Sequence, residues 1–138
     1  MPLTLTLTQG VLPPGDEKVA FRRLGEAMLR WHGLTDNAFM TSAVIGSIHV
    51  LPEELTYAGL HATPVAFVEW KVPPVAFATR EIQLGYIAEA TDIIHEMSGG
   101  MHPKAKIWVN VLHAVEGAWG IGGDAMTSAQ LGDAIARG

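Results

Sequence analysis

The stretch LTLTLT, residues 3–8, decides how this sequence is expected to fold. Its leucines fall on every second residue and therefore share one face of a strand, while the threonines share the other face. The turn sequence Pro13-Pro14-Gly15 follows, and Asp16 is placed to cap a helix whose end is marked by Gly33. The apolar residues between them recur at helical spacing: Ala20, Leu24, Ala27, Met28 and Trp31. With a second strand over about residues 44–51, this part of the chain predicts one β-α-β unit.

The same order of elements recurs in the second part of the chain. A strand is predicted over residues 65–71, Thr79 is a candidate helix cap, and a fourth strand covers residues 106–112. The helix between them is expected to end at Gly99-Gly100 and to bury a stripe made of Leu84, Ile87, Ala90, Ile94 and Met97. Two pairs of residues recur at a constant shift of 60, as in 84 − 24 for the leucines: Pro13-Pro14 with Pro73-Pro74, and Leu24-Gly25 with Leu84-Gly85. The pattern predicts two tandem copies of one unit.

Two tandem β-α-β units predict an α+β fold in a single domain over residues 1–138. Repeat 1 covers about residues 2–60, repeat 2 about residues 61–125, and a tail helix over 127–138 begins at Thr127 or Ser128. A strand, a helix and a further strand form a parallel pair with a right-handed connection. We therefore expect a four-stranded mixed sheet with two helices on one face. The other face is expected to be apolar and so to be covered by association with further copies.

The composition excludes several classes of function. The chain of 138 residues has a net charge of −5 with nine Lys and Arg, which argues against nucleic acid and membranes as partners. It has no cysteine, which excludes disulfides and thiolate metal sites and fits a cytoplasmic location. The start of the chain lacks the basic region of a signal peptide. The six histidines show neither an HExxH motif nor a close pair on a helix, and the segment 120–123 lacks the spacing of a nucleotide loop, so neither a metal nor a nucleotide is expected.

Three features together resemble the tautomerase superfamily. Met1-Pro2 leads directly into a strand, the β-α-β pattern is doubled, and GAWGIGG at residues 117–123 resembles the aromatic-Gly-Ile-Gly-Gly hairpin of the 4-oxalocrotonate tautomerase family. The segment 48–55 resembles the macrophage migration inhibitory factor family, and residues 107–109 resemble the cis-3-chloroacrylic acid dehalogenase family. The resemblance implies a homotrimer that needs no cofactor. It also implies catalysis by the secondary amine of Pro2, exposed when Met1 is removed.

An N-terminal proline suits this chemistry because it supplies a secondary amine. An α-amino group has a pKa of about 7.7–8, and an apolar pocket lowers that pKa by disfavouring the ammonium form. Such a base can remove a proton from the carbon next to a carbonyl and return it elsewhere, or the amine can act as a nucleophile. The resemblance further implies that substrate is bound by Trp108, Asn110, Trp119 and His49, and Lys71, at the end of the third strand, is the nearest cation that could bind a carboxylate.

Each of these binding residues has a structural alternative. Trp119 forms either a pocket wall or an anchor between subunits, and Asn110 either donates to substrate or is satisfied by the backbone. Lys71 either binds a carboxylate or lies solvated at a strand end. His49 lies inside an apolar strand, where a histidine is more often structural.

The chain departs from the resembled families at their arginines. The positions that match the diacid-binding arginines are Leu12 and Trp108, and those that match the dehalogenase pair lie near Pro73 and Ala76. The sequence therefore favours a keto–enol tautomerase that acts on a monoacid or neutral enolisable carbonyl compound. The alternatives are a Pro-dependent hydratase, dehalogenase or decarboxylase, and a non-catalytic trimeric binding protein. If Met1 remains, Pro2 has only an amide nitrogen, which favours the binding protein.

Overall fold

A four-stranded sheet forms the centre of the computed structural model, which describes all 138 residues. The elements are, in chain order, β1 (Pro2–Thr8), α1 (Asp16–Trp31), α2 (Ala38–Ala43), β2 (Ile45–Leu51), β3 (Tyr57–Ala58), β4 (His61–Ala62), β5 (Ala66–Val72), α3 (Arg80–Met97), β6 (Ile107–His113), β7 (Gly120–Ile121), β8 (Asp124–Ala125) and α4 (Ser128–Arg137). The sheet order is β2-β1-β5-β6, in which each repeat contributes a parallel pair and β1 runs antiparallel to β5. The predicted mixed sheet, with α1 and α3 on one face, is confirmed. None of the helices is both long and apolar enough to cross a membrane.

The alternation in β1 builds the core, as predicted. Leu3, Leu5 and Leu7 are at most 1% exposed, whereas the threonines between them lie on the other face. Leu3 lies opposite Trp70 and Leu5 opposite Val68 across the antiparallel pair, so both repeats share one core. This pairing also sets the end of β5 beside the start of β1.

The two repeats are joined through a buried hydrogen-bonded chain. The indole Nε1 of Trp70 donates to the hydroxyl of Tyr86 at 2.6 Å, and that hydroxyl donates to the carbonyl of Leu24 at 3.2 Å. Burial raises the pKa of Tyr86, so its hydroxyl stays protonated and able to donate. Close by, a Cβ on Gly85 would lie 2.0 Å from the ring of Trp31, so only glycine lets α1 approach α3 this closely.

The predicted apolar stripe of α3 is wrong in part. Leu84 is 56% exposed and Ile87 is 38% exposed, while the buried residues are Tyr86, Ala90, Ile93 and Ile94. The close contact of Trp31 with Gly85 and the inward hydroxyl of Tyr86 rotate α3 away from the predicted face.

The shift of 60 between the copies is also wrong. The two hairpins are offset by 63 residues (120 − 57 and 124 − 61), and the same offset matches Leu3 with Ala66, both of which face the core. Leu24 is fully buried and Leu84 is exposed, so these two residues are not equivalent. The recurring Leu-Gly and Pro-Pro pairs reflect similar composition rather than matching positions.

Two of the three predicted helix starts are confirmed. Thr79 accepts a hydrogen bond from the backbone N–H of Ile82 at 3.3 Å, and Thr127 forms a reciprocal capping box with Gln130. Asp16 does not cap α1. The cap position is Gly15 in a left-handed conformation (φ 91°), because the turn after Pro14 needs a positive φ there.

The sheet face without helices is mixed rather than apolar. The pairing places five large apolar residues on it: Ile45, Leu51, Phe67, Trp108 and Leu112. Thr4, Ser47, Glu69 and Asn110 form a polar row across the same face, because the alternate residues of these strands are hydrophilic. The prediction of a uniformly apolar face is therefore wrong, although the face remains open in a single chain.

Candidate active site

A pocket of about 520 Å³ lies where β1 begins and β5 ends. Pro2 and Lys71 line it from the sheet, and Trp119 lines it from the segment before β7. The helices add Met40 and Leu131 as further walls. Ten of the 16 lining residues are hydrophobic and Lys71 is the one charged side chain among them, so the pocket is an apolar space with a single cation.

The terminal amine of the chain lies inside this pocket. Met1 is 9% exposed, and its amine donates a hydrogen bond to the carbonyl oxygen of Ala43. Burial lowers the pKa of the Met1 amine, because desolvation disfavours the ammonium form. The pocket therefore favours the neutral form of an amine at the start of β1, and the neutral form is the one that can accept a proton.

The glycine-rich hairpin β7–β8 positions Trp119. Gly122 and Gly123 have φ values of 65° and 98°, the two left-handed residues that a two-residue type I′ turn requires. A Cβ on Gly120 would lie 2.5 Å from the carbonyl oxygen of Asp124, so only glycine fits there. The N–H of Met126 donates to the carbonyl of Trp119 at 2.9 Å and closes the hairpin. The indole Nε1 of Trp119 is buried without a hydrogen-bond partner beside the pocket.

The short helix α2 contributes pocket residues that the sequence analysis missed. Met40, Ser42 and Ala43 lie on it and line the pocket. Its sequence signal is Asn37, whose side-chain Oδ1 accepts a hydrogen bond from the N–H of Met40 at 2.8 Å. At six residues, the helix is too short for an apolar period to be recognised.

Solved structures of known proteins match this chain over almost its whole length. The structure of Pt0534 inactivated by 2-oxo-3-pentynoate is 21% identical with a TM-score of 0.75, and the match covers 96% of this chain and 99% of that one. A symmetric trimer of wild-type fused 4-OT is 14% identical, with a TM-score of 0.76 and the same coverage. N1, a member of the cis-3-chloroacrylic acid dehalogenase family, is 11% identical with a TM-score of 0.71, covering 96% of this chain and 89% of that one.

The chain has the tautomerase fold. It has it in the fused form, with both repeats in one polypeptide, as the coverage of fused 4-OT shows. No family model matches the sequence, and no curated protein matches it. The likeness is therefore one of three-dimensional structure at low sequence identity.

Within this tautomerase fold, three of the six predicted site residues meet and three do not. Pro2, Lys71 and Trp119 line one pocket. Trp108, Asn110 and His49 do not line it in a single chain. On β6, Leu112 is the residue level with Lys71, while Asn110 lies level with Glu69. Asn110 is therefore about 7 Å further along the strand, at about 3.3 Å per residue.

The three remaining residues occupy other surroundings. Trp108 is 63% exposed and lines a second cavity of about 370 Å³ together with Tyr57 and Lys106. His49 is exposed, and its Nε2 lies 2.9 Å from the hydroxyl oxygen of Ser47. Neither residue contacts the pocket that contains Pro2.

Proposed function

We propose that this chain is a cofactor-independent keto–enol tautomerase in which Pro2, freed by removal of Met1, is the general base. The observation that carries the proposal is the shared pocket: Pro2 at the start of β1 and the Lys71 cation line one mainly apolar space. The tautomerase fold of the chain supports it. The proposed substrate is a small enolisable carbonyl compound.

The proposed reaction is a proton transfer between carbon and oxygen. The neutral secondary amine of Pro2 removes a proton from the carbon next to the substrate carbonyl, and the electrons of that C–H bond form the enol double bond. The π electrons of the carbonyl move onto its oxygen, which takes a proton from the Pro2 ammonium or from water and so completes the enol. In the reverse direction the ammonium returns the proton to carbon. Lys71 is suited to a carboxylate of the substrate, and Trp119 supplies an apolar wall that keeps the amine desolvated.

The single cation favours a monoanionic substrate over a diacid. Lys71 is the one charged side chain lining the pocket, and a second carboxylate would be desolvated there without a partner. A 2-oxo acid with an apolar substituent matches this distribution of charge. The same amine could also serve hydration, dehalogenation or decarboxylation, which remain alternatives on this fold.

We also propose that the chain assembles as a homotrimer. The support is the open sheet face, with five large apolar residues, and the trimeric form of the similar fused 4-OT structure. Light scattering should give three times the chain mass of 14.8 kDa. A particle of one chain would contradict the trimer without bearing on Pro2.

A non-catalytic binding protein is the second candidate, and one observation favours it. In the full chain the side chain of Met1 is buried in the pocket, and its amine is bound to the carbonyl of Ala43. If Met1 is retained, Pro2 has an amide nitrogen and the pocket is partly filled. Catalysis by Pro2 is then impossible.

Two measurements separate these candidates. The intact mass of the protein from a native-like host should lack Met1, and the protein should accelerate the ketonisation of phenylenolpyruvate. Treatment with 2-oxo-3-pentynoate should add one reagent mass to the N-terminal peptide, since an amine adds across a conjugated alkyne without a leaving group. Retained Met1, no adduct and no ketonisation would overturn the proposal in favour of the binding protein.

A further inference from the structure

Two helices outside the β-α-β repeats form part of the pocket wall. Met40 of α2 is 1% exposed and Leu131 of α4 is 4% exposed, and both line the pocket. Neither helix packs as a layer on the sheet in the way that α1 and α3 do. Their contribution to the pocket therefore depends on what holds them to each other.

Asn37 holds the two helices together with one side chain. Its Oδ1 accepts the N–H of Met40 at 2.8 Å, and its Nδ2 donates to the carbonyl of Ile135 at 2.9 Å. The second bond ties the last turn of α4 to the start of α2, at an Ile135 carbonyl that also accepts the N–H of Gly138 at 3.2 Å. At the same junction a Cβ on Gly138 would lie 2.6 Å from the Cβ of Phe39, so the end of α4 is in tight contact with α2.

The chemistry of the wall complements that of the cation. Met40 and Leu131 offer only apolar surface, while Lys71 is the charged group of the same pocket. A ligand that pairs with Lys71 and also packs against Met40 and Leu131 has one carboxylate and a chain of several apolar carbons. Burying such a chain against the wall is favourable because it removes apolar surface from water.

We infer that α2 and α4, joined by Asn37, select substrates with an apolar chain, and that Asn37 is a positioning residue for this selection. The inference rests on the proposed function and names its substrate class: 2-oxo acids with an extended alkyl or aryl substituent. Asn37 itself does not touch the substrate. It acts through Met40 and Leu131.

The test compares short and long substrates in three proteins. Deuterium exchange at C3 is followed for pyruvate, 2-oxohexanoate and phenylpyruvate. Asn37→Asp keeps the cap acceptor but loses the donor to Ile135, and Thr79→Ala is the matched control, since it removes a helix cap of α3, which does not line the pocket. We expect Asn37→Asp to lower kcat/KM at least about tenfold for the two long substrates, through KM, while pyruvate and the control are unchanged.

A second variant and a binding assay cover the remaining outcomes. Leu131→Ala removes wall surface without touching the junction and should reduce the same preference. Calorimetric titration of the Pro2→Ala protein with hexanoate and acetate measures selection without catalysis. Equal affinity for both acids, or equal exchange of pyruvate and 2-oxohexanoate by the wild type, would overturn the inference while leaving Pro2 as the base. Tighter binding of hexanoate in a protein that exchanges no 2-oxo acid would instead support the wall and contradict the proposed function.

Discussion

The turns of the two hairpins each have two residues with positive φ, but the hairpins line different cavities. The β3–β4 turn has Gly59 and Leu60 at φ 58° and 68°, and the β7–β8 turn has Gly122 and Gly123 at φ 65° and 98°. In both hairpins one backbone hydrogen bond of 2.9 Å closes the base, from Thr63 to Thr56 and from Met126 to Trp119. Thr56 therefore occupies the place in repeat 1 that Trp119 occupies in repeat 2.

Side chains and the chain terminus account for the difference between the two ends of the sheet, the one beside the repeat 1 hairpin and the one beside the repeat 2 hairpin. At the repeat 1 hairpin, the hydroxyls of Thr8 and Thr56 lie 2.8 Å apart, and the N–H of Val65 donates to the Thr8 hydroxyl at 2.9 Å. At the offset of 63 that relates Thr56 to Trp119, Val65 takes the place of Pro2, and Thr8 that of Lys71 (71 − 63). Val65 follows Pro64 in the chain and has an amide nitrogen, and Thr8 is uncharged, so this end lacks both the amine and the cation. The comparison teaches that the fold supplies two similar hairpin regions, of which only the one in repeat 2 lies beside the chain terminus and a lysine.

Replacing Pro2 should have the largest effect of any single change. Pro2→Ala should reduce enolisation by about 10²–10⁴-fold, the typical contribution of general-base catalysis. The fold should survive, because Pro2 is exposed at the end of β1. Kinetics on phenylenolpyruvate and a melting curve measure the two effects. Unchanged activity would mean that the Pro2 amine has no role in enolisation and that the two ends of the sheet differ only in packing.

The pH profile sharpens the same point. Burial lowers the pKa of the Met1 amine, and we expect the same apolar pocket to lower the pKa of the Pro2 amine once Met1 is removed. The base must be neutral to accept a proton. The rate constant kcat/KM should therefore rise with pH through a pKa below about 8 and then level off. A profile that rises only above the ordinary α-amino pKa would contradict a desolvated amine.

Removing the cation should have the next largest effect. Lys71→Met should lower kcat/KM for monoanionic 2-oxo acids by roughly 10–100-fold, mainly through KM, since a hydrogen bond to a charged group contributes about 1.5–3 kcal/mol. Lys106→Met is the matched control, because Lys106 lines the other cavity. Equal losses in both variants would show a long-range effect of charge rather than a specific contact.

Local patterns made much of this arrangement predictable. The alternation of β1, the cap at Thr79 and the glycine-rich hairpin are each encoded within a few residues, and all three are confirmed. The expectation that Lys71 lies near Pro2 rested on its place at the end of the third strand, and the antiparallel pairing of β1 with β5 gives the physical reason why both line one pocket.

Other features depend on contacts that no local pattern contains. The rotation of α3 follows from Trp31 packing on Gly85. The junction of α2 with α4 joins Asn37 to Ile135, which are 98 residues apart. The place of Asn110 depends on strand register, where two residues decide whether a side chain reaches the pocket.

Breaking the threonine pair should lower stability without affecting activity. Thr8→Val removes the hydroxyl that accepts the N–H of Val65 and contacts Thr56, in a residue that is 1% exposed. A buried group left without its partner costs about 1–3 kcal/mol of unfolding free energy. Urea unfolding measures the loss, and kcat/KM should stay at the wild-type value. A loss of activity equal to that of Lys71→Met would show that the two ends are coupled.

The smallest expected effect concerns the loop that leads from the pocket end of β5 into α3. His32 accepts the N–H of Phe77 on Nε2 at 2.9 Å, and its Nδ1 lies 2.7 Å from the carbonyl of Met28, to which it donates as the neutral tautomer. Phe77 has φ 54°, an unfavourable value for a bulky residue, so this loop depends on side-chain support. The corresponding loop of repeat 1 is held by backbone bonds such as Gln9 to Leu51 at 2.7 Å. Protonation of His32 would place a proton on Nε2, so that this N–H would face the N–H of Phe77, donor against donor. The repulsion would arise in the loop of repeat 2 and not in that of repeat 1.

Stability should therefore fall in acid through His32. Burial lowers the pKa of His32 below its ordinary 6.5, so the folded protein binds the proton less readily than the unfolded chain. Its contribution is complete above about pH 6.5, decreases as the pH falls below that value, and levels off below the folded pKa. Urea unfolding from about pH 8 to about pH 5 should show this slope in the wild type, and His32→Gln, whose amide can accept and donate at any pH, should lack it. His113→Gln is the matched control: His113 Nε2 lies 2.7 Å from the carbonyl of Ala76 and donates to it in either charge state, so the slope should remain. If His32→Gln keeps the full slope, another group causes the acid sensitivity, and the two loops do not differ in the way that their hydrogen bonds indicate.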